Sequence, residues 1–198
     1  MEGIVMLIGI QGKSGSGKTT LAKLIEAKGF FRVSLDDLAK DLTPHLLPQI
    51  AKEFGGHLVN NGVLDRKGLA EVAFASKEAL DRLNAIFQDP MWDALRDQMK
   101  RHNNVVVEGY SLPSGLEPDK VVQLMADDAL LIARLIQREP WTPYEALKAR
   151  LALQEQCGIE AMQRHGTAAW FYQSSGSREA LQDLADNLTA PSEAVWIF

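Results

Sequence analysis

Residues 4–10 are apolar throughout apart from one glycine, the pattern of a strand buried on both faces of a parallel sheet. A glycine-rich break follows. Over residues 20–28 the apolar positions Leu21, Leu24 and Ile25 share one helical face, and Gly29 marks the stop. Residues 30–35 predict a second strand that ends at Asp36 and Asp37, with Asp37 expected to cap a helix starting near Leu38. Residues 105–107 and 121–125 predict a third and a fourth strand, and the aromatic run 170–173 a last one.

Between the second and third strands the apolar spacing is helical. Thr43-Pro44 predicts a helix start, with proline in the first turn, running to Phe54 before Gly55-Gly56. Asn60-Asn61-Gly62 reads as a turn, and Asp65 as the cap of a helix carrying Leu69, Val72, Ala73 and Phe74. Two further helices are expected over 77–87 and 90–102. After the fourth strand, Asp127 opens a helix with Leu130, Leu131 and Leu135 on one face. Thr142-Pro143-Tyr144-Glu145 has the form of a capping box for a helix to about His165. Ser177 caps a final helix bearing Leu181, Leu184 and Leu188. Strands alternating with helices predict an α/β fold: a three-layer α/β/α sandwich on a mostly parallel five-stranded sheet. The expected organisation is a single domain over 1–198, with a helical block at 40–103 and a lid at 139–166 hinged at Glu139-Pro140-Trp141. The apolar tail 194–198 is expected either to add a strand or to meet a second subunit.

The break after the first strand reads Gly12-Lys13-Ser14-Gly15-Ser16-Gly17-Lys18-Thr19, the P-loop pattern in its strand–loop–helix context. The fold class sharpens accordingly to a P-loop NTPase. Glycines at 12, 15 and 17 permit backbone conformations closed to other residues. Successive N–H groups can then face an anion, helped by the helix N-terminus. Lys18 is placed for the β- and γ-phosphates and the Thr19 hydroxyl for Mg²⁺, so residues 12–20, Thr20 included, are the expected ATP site. In small kinases a helical block such as 40–103 closes over the acceptor, and a lid excludes water that would compete for the γ-phosphate.

Ligands of open α/β sheets bind beyond the carboxyl ends of strands, which makes Asp36 a candidate at the active-site rim. Glu108, directly after three valines, occupies a Walker-B-like position. It is expected either to orient Mg²⁺ or to hydrogen-bond a substrate hydroxyl. Arg134 and Arg138 are one helical turn apart and share a face; Arg138, at the base of the lid, is the candidate for stabilising the transferring charge. Phe54, Tyr110, Trp141 and Trp170 are candidates for stacking on a base.

Composition narrows the partners. Net charge is −5 over 198 residues, so no global basic character announces nucleic acid, although the strip Arg96, Lys100, Arg101, His102 keeps DNA open. Cys157 is the only cysteine, which excludes an internal disulfide and fits a reducing compartment. The first strand is too short to span a membrane, and no secretory leader is evident; a cytoplasmic enzyme is expected. No Asn-Lys-x-Asp guanine-reading motif is present, and the four histidines show no metal-ligand spacing.

With these residues in hand, the chain resembles dephospho-coenzyme A kinase, a nucleoside-monophosphate-kinase-like P-loop family, from about Ile8 to Gln154. Ser34-Leu35-Asp36 stands where that family has aspartate, any residue, aspartate. Asn61-Gly62-Val63-Leu64-Asp65-Arg66, Leu83-Asn84, Arg134, Arg138 and Gln154 follow its pattern. The resemblance implies Asp36 as general base, Lys18 as phosphate clamp and Arg138 as lid arginine; Arg66, Glu108 and Tyr110 are this chain's own candidates for the acceptor side, and Arg134 for the ATP site. It implies ATP and Mg²⁺ as cofactors and a hydroxyl-bearing nucleotide as acceptor. The pattern departs at Ser34, at Phe87-Gln88-Asp89-Pro90 and at Glu108-Gly109-Tyr110, the last being closer to uridine kinases. Related bacteriophage kinases phosphorylate hydroxymethylated pyrimidines such as 5-hydroxymethyluracil, even within DNA. That is the alternative acceptor, along with a free pyrimidine nucleoside or nucleotide; the location would then be the host cytoplasm.

Overall fold

The computed structural model describes residues 6–165, 169–173 and 177–190. In chain order, β1 (Met6–Gly12) leads to α1 (Lys18–Glu26), and β2 (Phe31–Ser34) runs straight into α2 (Leu35–Phe54). A small hairpin, β3 (Val59–Asn60) and β4 (Val63–Leu64), precedes α3 (Arg66–Ala73) and the long α4 (Lys77–Met99). Then come β5 (Asn104–Gly109), β6 (Lys120–Met125), α5 (Asp128–Arg138), α6 (Tyr144–His165), β7 (Ala169–Gln173) and α7 (Arg178–Thr189). The expected tail strand at 194–198 lies outside the described residues.

The main sheet has the order β2-β5-β1-β6-β7, and each neighbouring pair is parallel. Alternate residues of each strand point to opposite faces. Ile8, Ile10, Val106, Val122 and Leu124 meet α1 and α7 on one side. Leu7, Val105, Val107 and Val121 meet Leu95 of α4 and Met162 of α6 on the other. Both faces are covered, which is why the strands are apolar runs rather than alternations. This is the three-layer arrangement expected.

The helical block has its own core: Leu46, Ile50 and Phe54 of α2 pack with Leu58, Leu69 and Ala79, flanked by Leu83, Ile86 and Phe87. Here the helix boundaries differ from those expected. α2 starts at Leu35, and Pro44 and Pro48 lie inside it. Its cap is Ser34, whose Oγ accepts from the Asp37 N–H at 3.2 Å, so Asp37 is a first-turn residue and not the cap. Both prolines are exposed. The carbonyls of Lys40 and Pro44 that lose an amide partner therefore open to water, and the buried stripe Thr43, Leu46, Ile50, Phe54 carries the helix past them. Likewise 77–87 and 90–102 form one helix through Pro90, held by Leu80 and Leu95. The Asn61-Gly62 turn has positive φ at both residues (51° and 75°), the type I′ geometry of a two-residue hairpin. Asp65 and Ser177 cap α3 and α7 as expected, accepting from the N–H groups of Gly68 and Ala180.

Residues 144–165 span two environments. Leu147 and Leu151 pack on Leu131 and Leu135 of α5. Farther along, the carbonyl of Gly158 accepts from Gln11 Nε2 at 3.2 Å, and Met162 joins the sheet core. Among the described residues no helix is long and apolar enough to cross a membrane.

Ile50 is fully buried at the centre of the helical block. Ile50→Ala is expected to cost about 3 kcal/mol, read as a lowered midpoint in urea unfolding with the m-value unchanged.

Candidate active site

β1 is the central strand, and the order of the sheet reverses across it: the chain fills β5 and β2 on one side and β6 and β7 on the other. The crevice beyond such a switch is where open α/β sheets bind ligands, and the P-loop emerges there. Gly12 has φ 151°, and a Cβ there would stand 2.4 Å from the Leu124 carbonyl oxygen, so only glycine fits. Gly17 caps α1 with φ 101°. The Ser16 N–H donates to the Lys13 carbonyl at 3.2 Å, closing the loop.

Lys18 is buried, and its Nζ donates to the Lys13 carbonyl at 3.0 Å across the loop. Burial pulls its ammonium below the ordinary range; the charges of Asp36 and Glu108 oppose that shift, and Arg138 adds to it. The charges of Asp36, Glu108 and Arg138, named separately from sequence, thus all bear on Lys18.

Glu108 is buried at the tip of β5, in register with Ile10 of β1 on one side and Ser34 of β2 on the other. Its Oε2 accepts from the Thr19 hydroxyl at 2.9 Å and its Oε1 from Arg32 at 2.6 Å. A hydroxyl and a carboxylate side by side are the oxygen donors a hard cation takes. No group of three or more His, Cys, Asp and Glu side chains that could hold a metal occurs among the described residues; Mg²⁺ commonly uses one or two carboxylates, with phosphates and water supplying the rest. Arg32 was not singled out by sequence reasoning. Its one signal is a charged residue inside a four-residue strand.

The second side of the loop is tied to α5 and α6. Arg134 donates to the Gly15 carbonyl at 2.7 Å, and the Ser14 N–H donates to Gln154 Oε1 at 2.8 Å. The Lys13 ammonium pairs with Asp128 and Glu155, so its side chain is spent on the two helices rather than at the mouth of the loop. At the hinge, Arg138 and Arg150 both donate to Glu139, at 2.7 and 2.9 Å. Partial burial pushes the Glu139 carboxyl up, but the hydrogen bonds from the two arginines outweigh it and hold the group below its ordinary range.

A cavity of about 460 Å³ opens between the helical block and the tips of the strands. Its walls are largely apolar, among them Leu69, Phe87, Met91 and Trp92, with Asp36, Arg66, Asn84, Tyr110 and Ser111 as polar points. That size and lining suit a small-molecule site. Tyr110 donates to Asn84 Oδ1 at 2.9 Å, and burial pushes its phenol up to about 12, so it remains a donor. Of the four aromatics proposed for stacking, only Tyr110 lines this cavity. Phe54 is core of the helical block under Arg82, Trp170 packs beside the sheet core, and Trp141 is exposed at the hinge. Phe87 and Trp92 line it instead, from a helix that was expected to break at Pro90. The basic strip lies at the wrong end for this cavity. Arg96 pairs with Asp93, Lys100 lies 3.8 Å from Asp97, and His102 stacks on Phe31 near the amino ends of the strands, opposite the P-loop.

Comparisons with known proteins agree with this geometry. The family model for dephospho-CoA kinase matches residues 6–179. The dephospho-CoA kinases of Corynebacterium jeikeium and Anaeromyxobacter dehalogenans are 31% and 32% identical to this chain, over 92% and 93% of its length and 97% and 90% of theirs. A crystal structure from Thermus thermophilus superposes with a TM-score of 0.68 at 26% identity, covering 96% of this chain and 100% of that one. The Campylobacter jejuni dephospho-CoA kinase superposes at 0.53 with 22% identity over 92% of this chain and 94% of its own, a likeness of fold alone.

The Glu139 hinge carries a pH signature. A carboxyl held low in the fold contributes stability above its unfolded value and loses it as pH falls through the folded one. Hydrogen-exchange protection over 139–150, taken relative to the intrinsic exchange rate at each pH, is expected to fall as pH drops below the ordinary glutamate value of 4.5, and Glu139→Gln should abolish that acid-dependent component.

Proposed function

The chain belongs to the dephospho-CoA kinase family, and from that membership we propose that it transfers the γ-phosphate of ATP to a hydroxyl of dephospho-CoA. The observation that carries this reading is the double placement of Asp36: it lines the acceptor cavity, and its charge falls on Lys18 of the P-loop. One carboxylate thus borders both the donor's terminal phosphate and the acceptor's hydroxyl.

Lys18 and the loop amides neutralise the triphosphate. Thr19 and Glu108 are the residues that would hold Mg²⁺, which supplies further neutralisation of the phosphate oxygens when bound. Asp36 orients the acceptor hydroxyl by accepting its hydrogen bond. As the new O–P bond forms and the bond from phosphorus to the ADP oxygen breaks, the hydroxyl proton passes to Asp36. Phosphoryl transfer asks mainly for positioning and charge stabilisation. Arg138 supplies positive charge to the migrating group once it leaves Glu139. The helical block 40–103 binds the acceptor, with Arg66, Asn84 and Tyr110 as its polar contacts. The segment from residue 139 closes over the nucleotide and keeps water from the γ-phosphate.

A transfer assay with γ-labelled ATP tests the acceptor, offering dephospho-CoA, pyrimidine nucleosides and DNA containing 5-hydroxymethyluracil in parallel. Label is expected in the coenzyme A product; label in DNA or in a nucleoside would replace this acceptor. Lys18→Ala should cost about 3–5 kcal/mol in kcat/KM, the scale of losing a strong electrostatic donor or more. Asp36→Asn should leave ATP binding intact by calorimetry while turnover collapses. Near-normal turnover would remove Asp36 as the base.

A further inference from the structure

Arg32 is the only charged residue of β2, and its side chain is largely withdrawn from solvent. Three carboxylates face it. Glu26 at 3.8 Å and Asp37 at 4.0 Å are half exposed, so water competes for them. Glu108 at 2.6 Å is almost fully enclosed. The Nε of Arg32 is buried without a hydrogen-bond partner among the described residues, so its sheltered directional bond is the one to Glu108.

That bond has a geometric effect. The last torsion of a glutamate is broad, roughly two-fold and weakly restrained. A charge-assisted bond on Oε1 sets the plane of the carboxylate and thereby aims Oε2 at the Thr19 hydroxyl, 2.9 Å away.

We propose that Arg32 is a positioning residue for the metal–nucleotide site: it holds Glu108 on Thr19. The proposal rests on the reading of Thr19 and Glu108 as the pair that holds Mg²⁺. Arg32 acts through Glu108, and nothing here makes it a catalytic residue.

Mn²⁺ binding to the ADP complex, followed by electron paramagnetic resonance, tests this without turnover. Loss of a residue that orients a metal ligand typically weakens metal binding about 10- to 100-fold. Folded Arg32→Met is expected to bind Mn²⁺ at least about tenfold more weakly, and Arg32→Lys to recover part of the loss. The double variant R32M/E108Q should bind no more weakly than E108Q alone, because the effect runs through that carboxylate. A merely structural role would lower the unfolding temperature but leave the Mn²⁺ affinity of the folded protein unchanged. Unchanged affinity, or tighter binding from relief of charge repulsion, overturns the proposal. If Arg32→Met does not fold, Arg32→Lys alone and with E108Q makes the same comparison: weaker binding that vanishes in the E108Q background supports it, and equal binding overturns it. Failure of the wild-type ADP complex to bind Mn²⁺ would remove the Thr19–Glu108 metal reading itself, and this role with it. Transfer of label to another acceptor would change the substrate and leave Arg32 standing.

Discussion

A parallel strand with a neighbour on each side cannot shift without breaking two ladders, and β1 is held in that way. It is in register with β5 from Met6 to Gln11 and with β6 from Ile8 to Gly12. Its last residue is the glycine whose added Cβ would strike the Leu124 carbonyl of β6. The P-loop therefore leaves the sheet from a fixed point and in a fixed direction. β5 ends beside it and delivers Glu108; β2 ends one strand farther out and delivers Ser34 and, in the first turn of α2, Asp36. The relative heights of the P-loop, Glu108 and Asp36 are thus properties of strand register.

Charge at this focus is arranged by burial. Lys18 and Glu108 are enclosed and Arg32 largely so, and each would be costly to bury alone. Arg32 and Glu108 pair directly, while Lys18 bonds the Lys13 carbonyl and is favoured as a cation by the charges of Asp36 and Glu108. Ser34, where the family pattern has its first aspartate, sits in register with Glu108 on the adjacent strand. The acid absent from one strand tip is present at the next, and the serine is free to cap α2.

Much of this was legible in the amino-acid order. The P-loop, the valine-rich strand before Glu108, the Asn61-Gly62 turn and the capping residues Asp65 and Ser177 are local signals, set by backbone geometry within a few residues. What escaped depends on partners far along the chain. Proline reads as a helix start at Pro44 and as a boundary at Pro90, yet α2 and α4 run through both because a buried stripe outweighs a lost hydrogen bond. Phe87 and Trp92 become cavity walls only once that helix is continuous. Arg32 gains meaning only when β2 and β5 are neighbours, a pairing between residues more than seventy positions apart.

The helix α6 is free at one end and rooted at the other. Gln154 grips the loop amide of Ser14, Gly158 is held by Gln11, and Met162 is embedded in the core. The turns ahead of Gln154 rest on α5 and its flanking residues Ala126 and Glu139. At about 1.5 Å per residue, the ten residues from Tyr144 to Leu153 make a lever about 15 Å long pivoting on a fixed root. A closing motion confined to that arm would leave the sheet, and everything fastened to it, at rest.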